Sequence, residues 1–198
     1  MSKDRFPNWN NLYEQTSVET MPWYSKDLDL DLKNEITKRN LKHGRFLDLG
    51  TGPGTQAIEL SKIGFSVTGS DLSENAISKA RKLDSKIEFV VDDILNSKLK
   101  ENSFDYVLDR GCFHVLSPET RHQYVKQVTN ILDSKGILFL KCFSVKEQMD
   151  YGPYRFSKQD IRQIFDKDFT IDSVMESVYY GTLQALPKTL FVVMKKIS

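Results

Sequence analysis

Arg45-Phe46-Leu47-Asp48-Leu49-Gly50-Thr51-Gly52-Pro53-Gly54-Thr55 decides the fold, because an apolar run ends there abruptly in three glycines at alternate positions. Phe46, Leu47 and Leu49 are too closely spaced for a half-exposed strand and fit a short strand buried on both faces of a parallel sheet. The glycines allow a sharp turn and a close approach of backbone to a ligand. From Thr55 onward Ala57, Ile58, Leu60 and Ile63 fall on one helical face, so the turn presents its ligand to a helix N-terminus. Strand, glycine turn and helix together mark a nucleotide-type site, although any tight strand-to-helix turn also calls for glycine.

The spacing separates two kinds of nucleotide ligand. In the dinucleotide fingerprint G-x-G-x-x-G the third glycine would fall at position 55, where this chain has Thr55. Here the spacing is G-x-G-x-G, and Asp48 stands two residues before the first glycine, where its charge would repel a pyrophosphate. A cationic ligand would be favoured. S-adenosylmethionine, with an ammonium, a sulfonium and no phosphate, suits an acid beside a glycine-rich turn.

The remaining composition narrows the class. A chain of 198 residues with 39% apolar content has the size of one domain with a sizeable core, spanning 1–198, its first 30 residues forming a lid or cap. With 28 basic and 27 acidic side chains, no global field draws it to nucleic acid or an anionic membrane. Met1 to Arg5 lack an apolar signal core and no apolar run approaches ~18 residues, so a cytoplasmic location is expected. Cys112 and Cys142 have no C-x-x-C spacing, which argues against structural zinc and for reduced thiols.

Along the chain, residues 1 to 25 mix Trp9, Tyr13, Trp23 and Tyr24 with polar residues and predict an irregular or short-helical lid, with Trp23 a candidate acceptor contact. Leu28, Leu30, Leu32, Ile36 and Leu41 predict a helix before the first strand. A second strand, Phe65 to Ser70, ends at Asp71, 17 residues beyond Gly54, near the offset at which a βαβ unit places a carboxylate on a ribose diol. Leu72 follows it at the cofactor edge, and Ser73 caps the next helix. The third strand, Ile87 to Val91, delivers Asp92, Asp93 and Ile94. There a carboxylate, Asp93 first and Asp92 as its neighbour, can accept from an adenine amino group while a backbone N–H donates to the ring. The alternative for each acid is a turn or loop cap.

The fourth strand, Phe104 to Leu108, brings Asp109, Arg110, Cys112 and His114 to the same edge as the glycine turn, where polar residues face a ligand crevice. Asp109 and Arg110 are candidate catalytic residues, and Arg110 and His114 candidate acceptor contacts. Pro118 opens a helix that Gly136 is expected to end, and Ile137 to Phe143 is a nearly continuous apolar strand. Ser157 and Asp160 resemble a capping box. Two final strands, Phe169 to Tyr180 and Leu190 to Met194, are separated by too few residues for a parallel crossover and must pair antiparallel.

Taken together, Asp48 to Gly54, Asp71, Asp93 and the terminal hairpin resemble the class I S-adenosylmethionine-dependent methyltransferases over roughly residues 40 to 198. Within them Phe104 to Gly111 and Gly152-Pro153-Tyr154 ahead of Ser157 to Phe165 are similar to the thiopurine S-methyltransferase group and its tellurite-resistance relatives. The resemblance implies an α/β Rossmann-like fold with a mostly parallel seven-stranded sheet, one reversed strand and helices on both faces. It implies no metal. It places Gly50, Thr51, Gly52 and Gly54 around the methionine part of the cofactor, Asp71 on the ribose, Asp93 and Ile94 at adenine, and Arg110 beside the acceptor, where it could stabilise a thiolate. A small-molecule acceptor, thiol or related chalcogen, is the expectation, with a monomer or weak dimer as the state. A macromolecular methyltransferase, a nicotinamide-dependent oxidoreductase and a cofactor-sensing binding module are the rival readings. Thr55, Asp48 and the closing hairpin speak against the oxidoreductase.

Overall fold

A computed structural model describes residues 5–148 and 151–197; Met1 to Asp4, read above for the absence of a signal core, lie outside them. Its elements run α1 (Trp9–Gln15), α2 (Leu30–Lys38), β1 (Arg45–Leu49), α3 (Thr55–Lys62), β2 (Ser66–Asp71), α4 (Glu74–Leu83), β3 (Glu88–Val91), β4 (Phe104–Arg110), α5 (Arg121–Ile131), β5 (Leu132–Ser144), β6 (Arg155–Phe156), α6 (Lys158–Phe165), β7 (Phe169–Val178) and β8 (Lys188–Lys196). The sheet order is β3-β2-β1-β4-β5-β8-β7, with the two-residue β6 added beside the end of β5. All pairings are parallel except those of β8 with β5 and β7, so β8 is the reversed strand.

The double-sided apolar reading of β1 follows from this order. Leu47 and Leu49 join a core with Tyr124, Val128, Ile161 and Phe165 of α5 and α6. Phe46 joins the opposite core with Leu32, Ala57, Leu60, Ile77 and Ala80 of α2, α3 and α4. A central parallel strand covered by helices on both faces buries every side chain from Phe46 to Leu49, which is why the run is continuous rather than alternating. The carboxyl ends of β1, β2, β3, β4, β5 and β7 therefore share one edge, and β2 and β4, flanking β1, leave it in opposite sequence directions. That change of direction is where open α/β sheets bind ligands.

Two boundaries differ from expectation. The helix opened by Pro118 begins with a 3-10 turn, and α5 ends at Ile131 rather than at Gly136. β5 already pairs with β4 at Leu132, and Lys135, whose φ is +64, lies within β5 where the pairing shifts register before Ile137. β4 also runs two residues further than the apolar pattern, so Asp109 and Arg110 are strand residues whose side chains leave opposite faces of the sheet. Elsewhere the local signals hold. Ser73 accepts from the Ala76 amide, and Ser157 and Asp160 form the reciprocal capping box of α6.

Candidate functional site

The glycine turn is held from beneath by Asp48. Its Oδ2 accepts from the Thr51 hydroxyl at 2.5 Å and from the Ala57 amide in the first turn of α3 at 3.1 Å. Gly54, the N-cap of α3, lies in the left-handed region at φ +83 and has no side chain, so the strand supplies the capping carboxylate instead. Asp48 is buried, and desolvation pushes its pKa up to about 6. Gly52 is constrained from the other side. Its φ is +55, and a Cβ there would stand 2.6 Å from the Tyr13 hydroxyl.

Asp71, at the end of β2, accepts from the Gly52 amide and the Ser73 amide, both at 2.9 Å, and its pKa is raised by burial. Leu72 beside it is 59% exposed, an apolar side chain without cover. At the end of β3 the two acids divide differently from expectation. Asp93 caps the following 3-10 turn, accepting from the Leu95 amide and the Asn96 side chain, whereas Asp92 Oδ1 accepts from the Lys98 amide and its buried Oδ2 has no hydrogen-bond partner among the described residues. The open acceptor of the pair belongs to Asp92. Ile94 is buried.

The amino-terminal segment lies against these loops. Asn10 Oδ1 accepts from the Ser73 hydroxyl and the Asn75 amide, Lys79 donates to the Thr16 carbonyl, and Tyr13, Met21 and Ala76 form a small core joined by Trp23 and Tyr24. The lid expected from composition is thus docked on the start of α4.

Arg110 holds its far end. Expected beside an acceptor, its guanidinium is instead engaged on three sides. Nε donates to Asp29 at 3.1 Å, Nη1 to the Trp23 carbonyl at 3.0 Å and Nη2 to the Tyr180 carbonyl, with the Tyr179 ring 4.3 Å away. The reason is the extra length of β4, which turns residue 110 onto the face where α2 begins. Asp29 Oδ2 also receives the fully buried Lys141 at 2.5 Å, and Lys141 reaches Asp31 at 2.7 Å. Neither Asp29 nor Lys141 figured among the candidates. Lys141 left a signal, as the lone charge inside the apolar run Ile137 to Phe143, which burial obliges to find partners.

Asp109, expected to be catalytic, points to the other face. It accepts from the Gly111, Cys112 and Phe113 amides and from the Tyr124 hydroxyl at 2.6 Å, so both oxygens are engaged in shaping the loop, and burial pushes its pKa up to about 6. Cys112 packs where a Gly50 Cβ would lie, at 3.1 Å, bringing the loops after β1 and β4 together, and burial raises its thiol pKa well above the ordinary value. His114, in the 3-10 turn Phe113–Val115, packs edge-on to Phe143 at 4.9 Å and beside Tyr179. It is 5% exposed, its Nδ1 has no hydrogen-bond partner among the described residues, and desolvation drives its pKa down to about 3.

The loops around the glycine turn therefore carry Asp48, Asp71, Asp92 and Asp93, and the nearby Arg110 is already paired with Asp29. That donor and acceptor set fits a cationic, phosphate-free nucleoside better than a pyrophosphate.

A methyltransferase-domain family model matches residues 46–136. Human EEF1A lysine methyltransferase 2 is 30% identical over 164 residues, covering 72% of this chain and 69% of that protein. The chain belongs to the class I S-adenosylmethionine-dependent methyltransferases. The 2-heptyl-1-hydroxyquinolin-4(1H)-one methyltransferase of Mycobacteroides abscessus is 25% identical over 155 residues, 74% of this chain and 68% of its own. A structure solved in work on the conversion of a disulfide bond into a thioacetal group during echinomycin biosynthesis shares the fold, with TM-score 0.81 at 24% identity, over 95% of this chain and 91% of that one. This methyltransferase is an enzyme whose cofactor is S-adenosylmethionine. Among the described residues no helix is long and apolar enough to cross a membrane, and no group of three or more His, Cys, Asp and Glu is placed to hold a metal.

Proposed function

We propose that this methyltransferase acts on a small acceptor, a thiol or related chalcogen nucleophile, at the carboxyl ends of β4, β5 and β7 beneath the amino-terminal segment. The observation that carries the reading is the roof over that edge. Tyr13 lies on the glycine turn, Arg110 ties Trp23 to Asp29 and Tyr180, and the Thr182 amide and hydroxyl donate to the carbonyls of Pro22 and Met21. An edge covered in this way suits a small molecule better than a protein segment. The narrower likeness of residues 104–111 and 152–165 to the thiopurine group supports the same choice.

In this reading the glycine turn from Gly50 through Thr51 and Gly52 to Gly54, organised by Asp48, holds the methionine part of the cofactor. Asp71 takes the ribose hydroxyls, since each of its oxygens makes one hydrogen bond and can accept another. The adenine lies against Leu72 and Ile94, its amino group facing the pair Asp92 and Asp93, where Asp92 Oδ2 is open. The cofactor supplies an electrophilic methyl on a sulfonium centre. The chain's contribution is to orient the acceptor and exclude water, and orientation of this kind can supply ~7–11 kcal/mol of a barrier. Asp48 and Asp109 are engaged as structural carboxylates and His114 is held neutral, so none of these three is a strong base for the acceptor. A thiol, with an ordinary pKa of ~8.5, needs the least help.

Isotope-labelled S-adenosylmethionine offered with a panel of small thiols, selenols and phenols, and separately with lysine-rich protein substrates, tests the reading. Label in thiol products supports it. Label confined to protein lysines, the activity in the name of the human relative, refutes it.

A further inference from the structure

We infer that His114 Nδ1 is the hydrogen-bond anchor of the acceptor site and selects acceptors that present an uncharged S–H, O–H or N–H over those that carry an ammonium. This rests on the small-acceptor reading above and adds to it a residue and a chemical class.

The ring stands at the carboxyl ends of β4, β5 and β7, the edge to which the reading above assigns the acceptor. It follows Cys112, whose side chain packs on the Gly50 turn, and it is flanked by Phe143 and Tyr179 from the ends of β5 and β7. A buried polar atom without a partner is rare and costly, and a ring that served only to fill space would be better replaced by phenylalanine. The neighbours that could have satisfied it are committed elsewhere. The Tyr179 hydroxyl donates to the Arg110 carbonyl, and the Tyr154 amide donates to the carbonyl of His114 itself. Among the described residues nothing is left to pair with Nδ1, which is therefore available to a ligand.

The charges around the ring set the class. Arg110, from β4, is the charged group that acts on it, and its positive field lowers the ring's affinity for a proton together with burial. Tyr179, the titratable group packed on it from β7, has a pKa pushed up to about 12 and stays neutral. Asp109 leaves the opposite side of the strand, with both oxygens occupied. An ammonium entering here would give up its hydration for a single neutral nitrogen, with no carboxylate free to pair with it among the groups just named, since Asp29 is held by Arg110 and Lys141. With the ring proton on Nε2, Nδ1 offers a neutral X–H a lone pair in a dry aromatic setting, where one hydrogen bond discriminates strongly because its loss leaves Nδ1 buried and alone.

The test uses the full chain with S-adenosylhomocysteine bound, the cofactor affinity being measured first by calorimetry. Thiophenol, thioanisole and n-butylammonium are then titrated as probes at about pH 5, where thiophenol keeps its S–H and the His114 ring, its pKa driven down to about 3, is still neutral, with binding constants and the ¹⁵N resonances of the His114 ring as readouts, in the wild type and in His114→Phe and His114→Asn. Thiophenol should bind at least tenfold more tightly than thioanisole, shift the His114 nitrogens, and lose that advantage in His114→Phe with S-adenosylhomocysteine affinity unchanged. His114→Asn, which restores a hydrogen-bonding side chain, should recover part of it. Equal binding of thiophenol and thioanisole, failure of thiophenol to bind, a preference retained in His114→Phe, or tighter binding of n-butylammonium overturns the inference. In the labelling assay above, methyl transfer to small thiols with any of these results leaves the small-acceptor reading standing and removes only His114. Label confined to proteins removes both.

Discussion

Replacing Arg110 by methionine separates a latch from an acceptor contact. The side chain is 7% exposed and makes three hydrogen bonds from a charged donor, to Asp29 and to the carbonyls of Trp23 and Tyr180. Bonds of this kind contribute roughly 1.5–3 kcal/mol each, and breaking a buried pair costs roughly 3–5 kcal/mol when a bare charge remains. Here Asp29 keeps Lys141 and the amides of Asp31 and Leu32, methionine preserves apolar contact, and the two carbonyls regain water once the segment lifts. The expected loss is therefore about 3 kcal/mol. For a chain of this size that lowers the melting temperature by about 6–12 °C. Limited proteolysis within residues 16–28 should accelerate, and S-adenosylhomocysteine should bind on the order of tenfold more weakly, because Tyr13 and Trp23 leave the turn together. Arg110→Lys should recover less than half of the stability, since one ammonium cannot span three partners. Calorimetric melting and titration provide the readings. A melting point within about 2 °C of wild type, intact cofactor binding and a loss confined to turnover would refute the latch and return Arg110 to the acceptor.

Asp71→Ala is expected to weaken S-adenosylhomocysteine by on the order of tenfold to hundredfold, through the lost ribose bonds and the released Gly52 amide, with circular dichroism unchanged; an unaltered calorimetric constant would move the ribose contact elsewhere. Gly52→Ala combines a left-handed φ with a Cβ placed against the Tyr13 hydroxyl, so it should free α1 for hydrogen exchange and reduce cofactor affinity at least tenfold; protected α1 amides would contradict this. Burial lowers the His114 pKa from about 6.5 to about 3, so between these values the unfolded state binds the extra proton and stability rises with pH. Compared with wild type, His114→Phe should thus be about 2 kcal/mol more stable at pH 5 than the same comparison shows at pH 7.5. For Asp48 and Asp109 the sign is opposite: with folded pKa values raised from 3.8 to about 6, the folded state binds the extra proton, and their contribution falls as pH rises from about 4 to 6. Urea unfolding of both proteins across pH 4 to 8 checks the two signs, and a pH-independent difference would show that His114 is not buried neutral.

Cofactor loops are legible in a sequence when local geometry and ligand chemistry coincide. Gly52 and Gly54 are required by left-handed backbone, Ser73, Ser157 and Asp160 cap helices within three residues of themselves, and Asp71 marks a strand end. These signals depend on neighbours in the chain and survive without knowledge of the fold. Arg110, Asp109 and Asp92 were less legible because the face and partner of a strand-end side chain depend on where the strand stops. Two added residues in β4 send Asp109 into the α5 side and Arg110 toward Asp29, 81 residues away in sequence.

By itself the sequence determined the strand, glycine turn and helix, the acid at the end of β2, the antiparallel closing pair and the preference for a cationic nucleoside, since each follows from periodicity, backbone conformation or charge over a short span. Only the tertiary structure decided that Lys141 and Arg110 would close on Asp29, that Tyr13 would lie on Gly52, and that His114 would keep an unpartnered nitrogen among Phe143 and Tyr179. Those are contacts between elements far apart in the chain. Their existence depends on register and strand length, which side-chain alternation turns into a choice of face and short-range patterns do not encode.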